Sequence, residues 1–284
     1  MIADPLSGLG VEIRGLDLTQ TLAADQVDEL RRMFRQRRLL LFRDVEFGEE
    51  DQLRLCGYLG PVVDPVTWVS NVRAGFHPEG RLAFHSDYAF TEHPMLGLSL
   101  YATELDADAS PTVFASSEQA YGKLSRDLRL RLVGLKVVQV ANTLGARDGE
   151  AVRLDDFGGD AAPRDRFPRL CRQAIWSHPV DSAPIVFVME QQASHFEGWS
   201  CDESAALLRA TFEVLYDPGN SYTHEWRVGD FVVWDNIAVQ HGRPANPNTV
   251  RRSLRRVAIN SVTTADLIAG TGFDPVWRAA NLVG

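Results

Sequence analysis

Gly229-Asp230-Phe231-Val232-Val233-Trp234-Asp235-Asn236-Ile237-Ala238-Val239-Gln240-His241 is the stretch on which the reading of this chain turns. Residues 231–235 and 237–241 are short runs rich in β-branched and apolar side chains, as in buried strands. Upstream, 221–227 reads as another strand, with Val228-Gly229-Asp230 as the turn of a hairpin into 231–235. Downstream, 254–262 reads as a strand as well. Working outward, strands fit at 9–19, 39–42, 83–90, 97–104, 112–116, 135–141, 173–177 and 184–189. Val27, Leu30, Met33 and Phe34 recur at helical spacing and predict an amphipathic helix over 23–36. Residues 117–134 also look helical, and Ser200 with Glu203 forms a capping box that opens a helix to about Tyr216. Residues 61–82 and 144–169, dense in Pro, Gly and polar side chains, read as long loops, a class more often functional than accidental.

Many short strands with a few helices indicate a mainly β fold, a sandwich or barrel with helical cover. The chain has 284 residues, 45% of them apolar, which suits one domain spanning 1–284. A net charge of −9 argues against a nucleic-acid surface, and the run Arg31, Arg32, Arg35, Arg37, Arg38 reads as a solvated helix face. No apolar stretch approaches the roughly 18–20 residues of a membrane span. The first residues lack a signal-peptide pattern, and Cys56, Cys171 and Cys201 are too scattered for zinc or a disulfide framework, so a cytoplasmic protein is expected. There is no G-x-G-x-x-G or Walker pattern, which argues against a nucleotide-binding α/β fold.

Chemistry is carried by histidines paired with carboxylates. On a strand, residues i and i+2 face the same way, so a His-x-Asp/Glu pair can reach one ion. With 38 Asp and Glu in 284 residues, chance alone gives about one such pair among seven histidines. Three occur: His77-Pro78-Glu79, His85-Ser86-Asp87 and His195-Phe196-Glu197. The first lies among loop residues and the third just before a helix cap; His85-Ser86-Asp87 has the best strand setting. Two histidines and one carboxylate on one face of Fe(II) leave positions open for oxygen chemistry, and His241 is the candidate for the second histidine. Taken singly, Thr112 is an ordinary strand residue, Trp234 a core residue, and Arg251, Arg252, Arg255 and Arg256 a solvated basic face.

Joint spacing changes this. The pattern G-D-x-x-x-W-D-N-x-x-x-x-H, with Arg252 and Arg256 eleven and fifteen residues past the histidine, resembles the taurine and aryloxyacetate dioxygenase family. His85 and Asp87 match the family's H-x-D pair, Thr112 its threonine twenty-five residues after the Asp, and Ala193-Ser194-His195-Phe196-Glu197-Gly198 its aryloxyacetate-degrading members. The opening Gly10-Val11-Glu12-Ile13 to Leu41-Phe42-Arg43-Asp44 is similar too, so the likeness spans about 9–262.

The resemblance implies a double-stranded β-helix core (jelly roll, clavaminate synthase-like) with helices packed outside. It implies an enzyme using Fe(II), 2-oxoglutarate and O2, in which His85, Asp87 and His241 ligate iron. Arg252 would pair with the far carboxylate of 2-oxoglutarate, helped by Thr112, and Arg256 would meet either cosubstrate or substrate. Trp234 would pack near the metal, while Asp235 and Asn236 shape the strand end. Two departures stand out: Phe84 where the family often has Trp, and Ala109-Ser110-Pro111 where it usually has Gly-Gly-Asp. The expected substrate is a small organic anion with an apolar body, met by Arg81 and Arg256 and walled by Phe84, Tyr88 and Phe90, with Trp68 in a candidate lid. The other candidate lid is 144–169. Neither nucleic acid nor membrane is expected as partner, and a homo-oligomer is left open. The rival reading is a non-catalytic jelly-roll binding protein.

Overall fold

The computed structural model describes residues 1–46, 48–75, 77, 79–140 and 169–269. The chain begins with β1 (Ile2–Pro5), β2 (Val11–Arg14), α1 (Ala24–Arg37), β3 (Leu39–Phe42), α2 (Glu49–Leu59), β4 (Thr67–Ser70) and β5 (Leu82–His85). There follow β6 (Gly97–Leu105), β7 (Thr112–Ser116), α3 (Ser117–Lys123), α4 (Arg126–Leu132), β8 (Lys136–Val140), β9 (Arg169–Gln173), β10 (Ile175–Ser177) and β11 (Pro184–Val186). The last elements are β12 (Ala193–Phe196), α5 (Cys201–Leu215), β13 (Ser221–His224), β14 (Phe231–Asp235), β15 (Val239–Arg243), β16 (Arg252–Ile259) and α6 (Thr264–Leu267).

Two sheets make the core. The larger runs β1-β2-β3-β14-β6-β16-β4 and the smaller β13-β7-β15-β5. Strand alternation distributes their side chains. Leu39, Leu41, Val232, Trp234, Leu254 and Ala258 of the large sheet meet Phe114, Val239 and Tyr222 of the small one. Leu40, Phe42, Phe231, Val233, Val257 and Ile259 point the other way, against Val27 and Leu30 of α1 and Leu55 of α2. The large sheet is thus covered on both faces, which is why β3 and β14 are apolar without alternation. Each such Leu or Val contributes about 1.5–3 kcal/mol on burial. A third sheet, β12-β8-β9, packs its Val137, Ala193 and Phe196 against Leu207 and Leu208 of α5. This is the expected jelly roll with helices outside.

Four local readings need correction. No hairpin forms across 228–230: β13 pairs with β7 in the small sheet, β14 with β3 and β6 in the large one. Val228-Gly229-Asp230 instead carries the chain between sheets, with Gly229 at φ 87, a value that favours glycine. Within the supposed loop 61–82 lies β4, an edge strand paired with β16. The strand expected at 83–90 ends at His85, and Tyr88 has φ 59 in the turn that follows. The helix expected at 117–134 is two helices, the second capped by Ser125, whose hydroxyl accepts from Leu128 N–H at 3.1 Å. The candidate lid at 144–169 lies outside the described residues, save for the start of β9.

Candidate active site

His85 and His241 are direct cross-strand partners on β5 and β15, so their rings lie side by side with centroids 4.2 Å apart. Asp87 follows in the turn beyond β5. Its backbone N–H donates to Asn236 Oδ1 at 3.0 Å, while Asn236 Nδ2 donates to Asp87 O at 3.0 Å and to Met95 O at 2.9 Å. Asn236, fully buried at the end of β14, thereby holds the turn that carries the carboxylate. Asp87 Oδ1 stands 3.4 Å from His85 Nε2 and 3.7 Å from His241 Nε2. Among the described residues this is the one group of three or more His, Cys, Asp or Glu able to hold a metal ion, its ligand atoms all within 4.8 Å.

The protonation pattern suits a cation. His85 Nδ1 lies 2.9 Å from Ala83 O and, as the N–H tautomer, donates to it, which turns the Nε2 lone pair toward Asp87. Burial, with the neighbouring His85 adding to it, pushes His241 down to about 3, so it is neutral and able to ligate at neutral pH. Burial would raise the Asp87 carboxyl, but Arg256 and the two histidines outweigh it and hold it well below the usual carboxylate range. Two imidazole nitrogens and one carboxylate oxygen fit Fe(II) with open positions rather than a closed zinc site.

A second feature is a buried cation. Arg252 on β16 is 1% exposed. Its Nε donates to Ser110 O at 3.1 Å and its Nη2 to Thr112 Oγ1 at 3.0 Å, while its buried Nη1 has no partner. Thr112 is held in turn by Trp226 Nε1, 2.9 Å away. Burial, and after it the charge of Arg243, pulls Arg252 down to about 9. A guanidinium in this state, without a carboxylate to offset its desolvation, suits the carboxylate end of a ligand.

The structure also sorts the remaining candidates. Arg252, Leu254 and Arg256 share the inner face of β16. Arg255 faces out, where it donates to Gln52 Oε1 at 2.7 Å, and Arg251 pairs at the surface with Asp106 and Glu104. Arg256 Nη2 donates to Asp87 Oδ2 at 2.7 Å. Trp234 packs edge-on to His241, with centroids 4.9 Å apart. Tyr88 and Phe90 are buried in the inter-sheet core beside this group.

Three residues expected on the substrate side have the following surroundings. Arg81 Nη2 donates to Glu190 Oε2 at 2.8 Å, while its buried Nη1 has no hydrogen-bond partner. Phe84 stacks on Tyr216 with centroids 4.1 Å apart, on the face of β5 opposite His85, so it does not wall the His85 side. Trp68 pairs in register with Arg255 and shares its outer face. His77 and His195 lie outside the metal group: His77 Nε2 is 3.4 Å from Asn246 O, and His195 sits on β12. Sequence reasoning missed Trp226 and Ser110. Ser110 acts through its carbonyl, which leaves no trace in side-chain identity, and Thr112 reaches Arg252 despite the departure at 109–111.

A profile described as "Taurine catabolism dioxygenase TauD, TfdA family" matches residues 3–258. The alpha-ketoglutarate-dependent 2,4-dichlorophenoxyacetate dioxygenase of Cupriavidus pinatubonensis is 27% identical over 278 residues, covering 89% of this chain and 94% of its own. The alpha-ketoglutarate-dependent sulfate ester dioxygenase of Pseudomonas putida is 25% identical over 274 residues, covering 90% and 88%. The crystal structure of AAD-2 in complex with Mn(II) and N-oxalylglycine matches with a TM-score of 0.76 at 20% identity, covering 93% of this chain and 98% of that one.

Proposed function

Because the chain belongs to the taurine catabolism dioxygenase TauD, TfdA family, we propose that His85, Asp87 and His241 hold its iron, that Arg252 and Thr112 seat its 2-oxoglutarate, and that it hydroxylates a small organic anion. The protein is an iron- and 2-oxoglutarate-dependent dioxygenase that acts with O2 on a small molecule. The rival reading as a non-catalytic binding protein finds no support in these relatives.

The observation that carries the proposal is one juxtaposition. A three-ligand donor set lies between the sheets together with a buried guanidinium, Arg252, that has no carboxylate partner. When bound, iron and 2-oxoglutarate supply oxidative decarboxylation to succinate coupled to attack on a C–H bond. The chain's own residues do the positioning. Arg252 engages the distal carboxylate, and Trp226 orients the Thr112 hydroxyl toward it. Arg256 occupies Asp87 Oδ2, so Asp87 offers Oδ1 to the metal side. Trp234, Phe114 and Tyr88 keep the surroundings apolar and exclude water.

The relatives are the support for an anionic substrate. The relatives named for 2,4-dichlorophenoxyacetate and for sulfate esters act on anions of this kind. We further place the chain in the cytoplasm as one domain. None of its three cysteines is in a disulfide, and no helix among the described residues is long and apolar enough to cross a membrane. The test compares substrate-stimulated succinate formation for aryl and alkyl acids and for their methyl esters. Acids should stimulate it and esters should not; equal turnover of esters would refute the anionic substrate.

A further inference from the structure

Strand β5 ends at His85, where it pairs in register with His241. Beyond that point the backbone of Ser86 has no neighbouring strand, yet Ser86 is fully buried and its Oγ has no partner. Its carbonyl accepts from Ala89 N–H at 3.2 Å within the turn, and a single side chain, Gln192, meets both its N–H and its C=O. Gln192 Nε2 donates to Ser86 O at 3.0 Å, and Ser86 N–H donates to Gln192 Oε1 at 3.4 Å. Gln192 is 3% exposed and fixed by its own backbone, which accepts from Val140 N–H at 2.9 Å and donates to Met189 O at 3.2 Å. The residues before it continue the pattern. Gln191 N–H donates to Phe84 O at 3.0 Å, and Phe84 N–H donates to Glu190 Oε2 at 3.2 Å.

We propose that Gln192 is a positioning residue for the metal centre, its carboxamide standing in for an absent strand at Ser86 and so setting the spacing between His85 and Asp87. The inference rests on the reading of those two residues as ligands. Residues 190–192 then act as a surrogate strand edge beside Phe84–Ser86, and Asn236 repeats the device one residue later at Asp87. Both amides use a donor and an acceptor on a single peptide unit's neighbours, the pattern a β-ladder would supply. The turn they hold contains Tyr88 at φ 59, a costly backbone conformation for a large side chain, so it needs external support. Partners of this kind, one step removed from a metal, typically change its affinity by about 10–100-fold when lost.

The experiment is a Co(II) titration of the apoprotein by calorimetry and visible absorption. Gln192→Met, which removes both hydrogen bonds, should weaken Co(II) binding by at least about tenfold and shift the ligand-field bands at saturating Co(II). Gln192→Glu keeps the acceptor for Ser86 N–H but sets an oxygen against Ser86 O, and should weaken binding to a similar degree. Thr211→Val, which breaks a buried hydrogen bond on α5 from Thr211 Oγ1 to Leu207 O, should lower Tm while leaving affinity and spectrum unchanged. His85→Ala reports on the underlying reading. If it still binds Co(II) like wild type, the ligand assignment is wrong. If it loses Co(II) while a folded Gln192→Met or Gln192→Glu binds with wild-type affinity and spectrum, the assignment stands and the role of Gln192 is refuted.

Discussion

Arg256 donates from Nη2 to Oδ2 of Asp87 at 2.7 Å, which leaves Oδ1 as the oxygen facing His85 and His241. On the proposed ligand assignment, the guanidinium acts on the iron through the carboxylate it holds. Replacing it should release one Asp87 oxygen and remove the charge that keeps the group ionised. Arg256→Leu is expected to weaken Fe(II) binding by about 10–100-fold, and Arg256→Lys should recover part of this as a point charge without the planar fork. Anaerobic Fe(II) titration decides it; unchanged affinity in Arg256→Leu would separate the arginine from the metal site.

A second expectation concerns the cosubstrate. Arg252→Met removes the buried cation and should cost about 2–5 kcal/mol of 2-oxoglutarate binding, as for a truncated charged pair. Thr112→Val should cost less, about 0.5–1.5 kcal/mol for one hydrogen bond. The measurement is 2-oxoglutarate affinity in the presence of Fe(II) without O2. Equal affinity in wild type and Arg252→Met would mean that the anion binds elsewhere.

Three histidines, His77, His224 and His241, make stability depend on pH. Burial, aided by His85, pushes His241 down to about 3; burial, aided by Arg243, pushes His77 to about 4; burial also lowers His224. The folded chain keeps these rings neutral, whereas the unfolded chain protonates them below about 6.5. Protons then favour the unfolded state, so apoprotein stability should fall as pH drops from about 6.5 toward 4. Between pH 6.5 and 5 carboxylates stay largely ionised in both states, and the slope belongs to histidine. Thermal unfolding of the apoprotein should show Tm falling across that window, and less steeply in His77→Gln. A flat or rising Tm on acidification would contradict it.

How far the sequence reached depends on which forces leave marks in it. Helix α1 was legible because Val27 and Leu30 are buried at helical spacing, and β3 because Leu39–Phe42 is apolar on both faces. Strand partners were not legible. Composition marks 221–224 and 231–235 as strands, but nothing in it says that they belong to different sheets. Strand β4 was hidden among Pro61, Pro65 and Gly75. The grouping of His85 with Asp87 was anticipated on the premise that both lie on one strand; in fact Asp87 reaches the site from a turn held by Asn236. Nor was the ion pair between Arg81 and Glu190, 109 residues away, legible. Tertiary partners at such separations leave no local pattern.

The most direct test of the central claim is the iron stoichiometry of purified chain under anaerobic conditions, read together with the weak visible band that appears on adding 2-oxoglutarate. One Fe(II) per chain and the band are expected in wild type and in His195→Ala, and both should vanish in His85→Ala, Asp87→Ala and His241→Ala. Iron and band persisting in His241→Ala, or disappearing in His195→Ala, would show that the metal is held elsewhere.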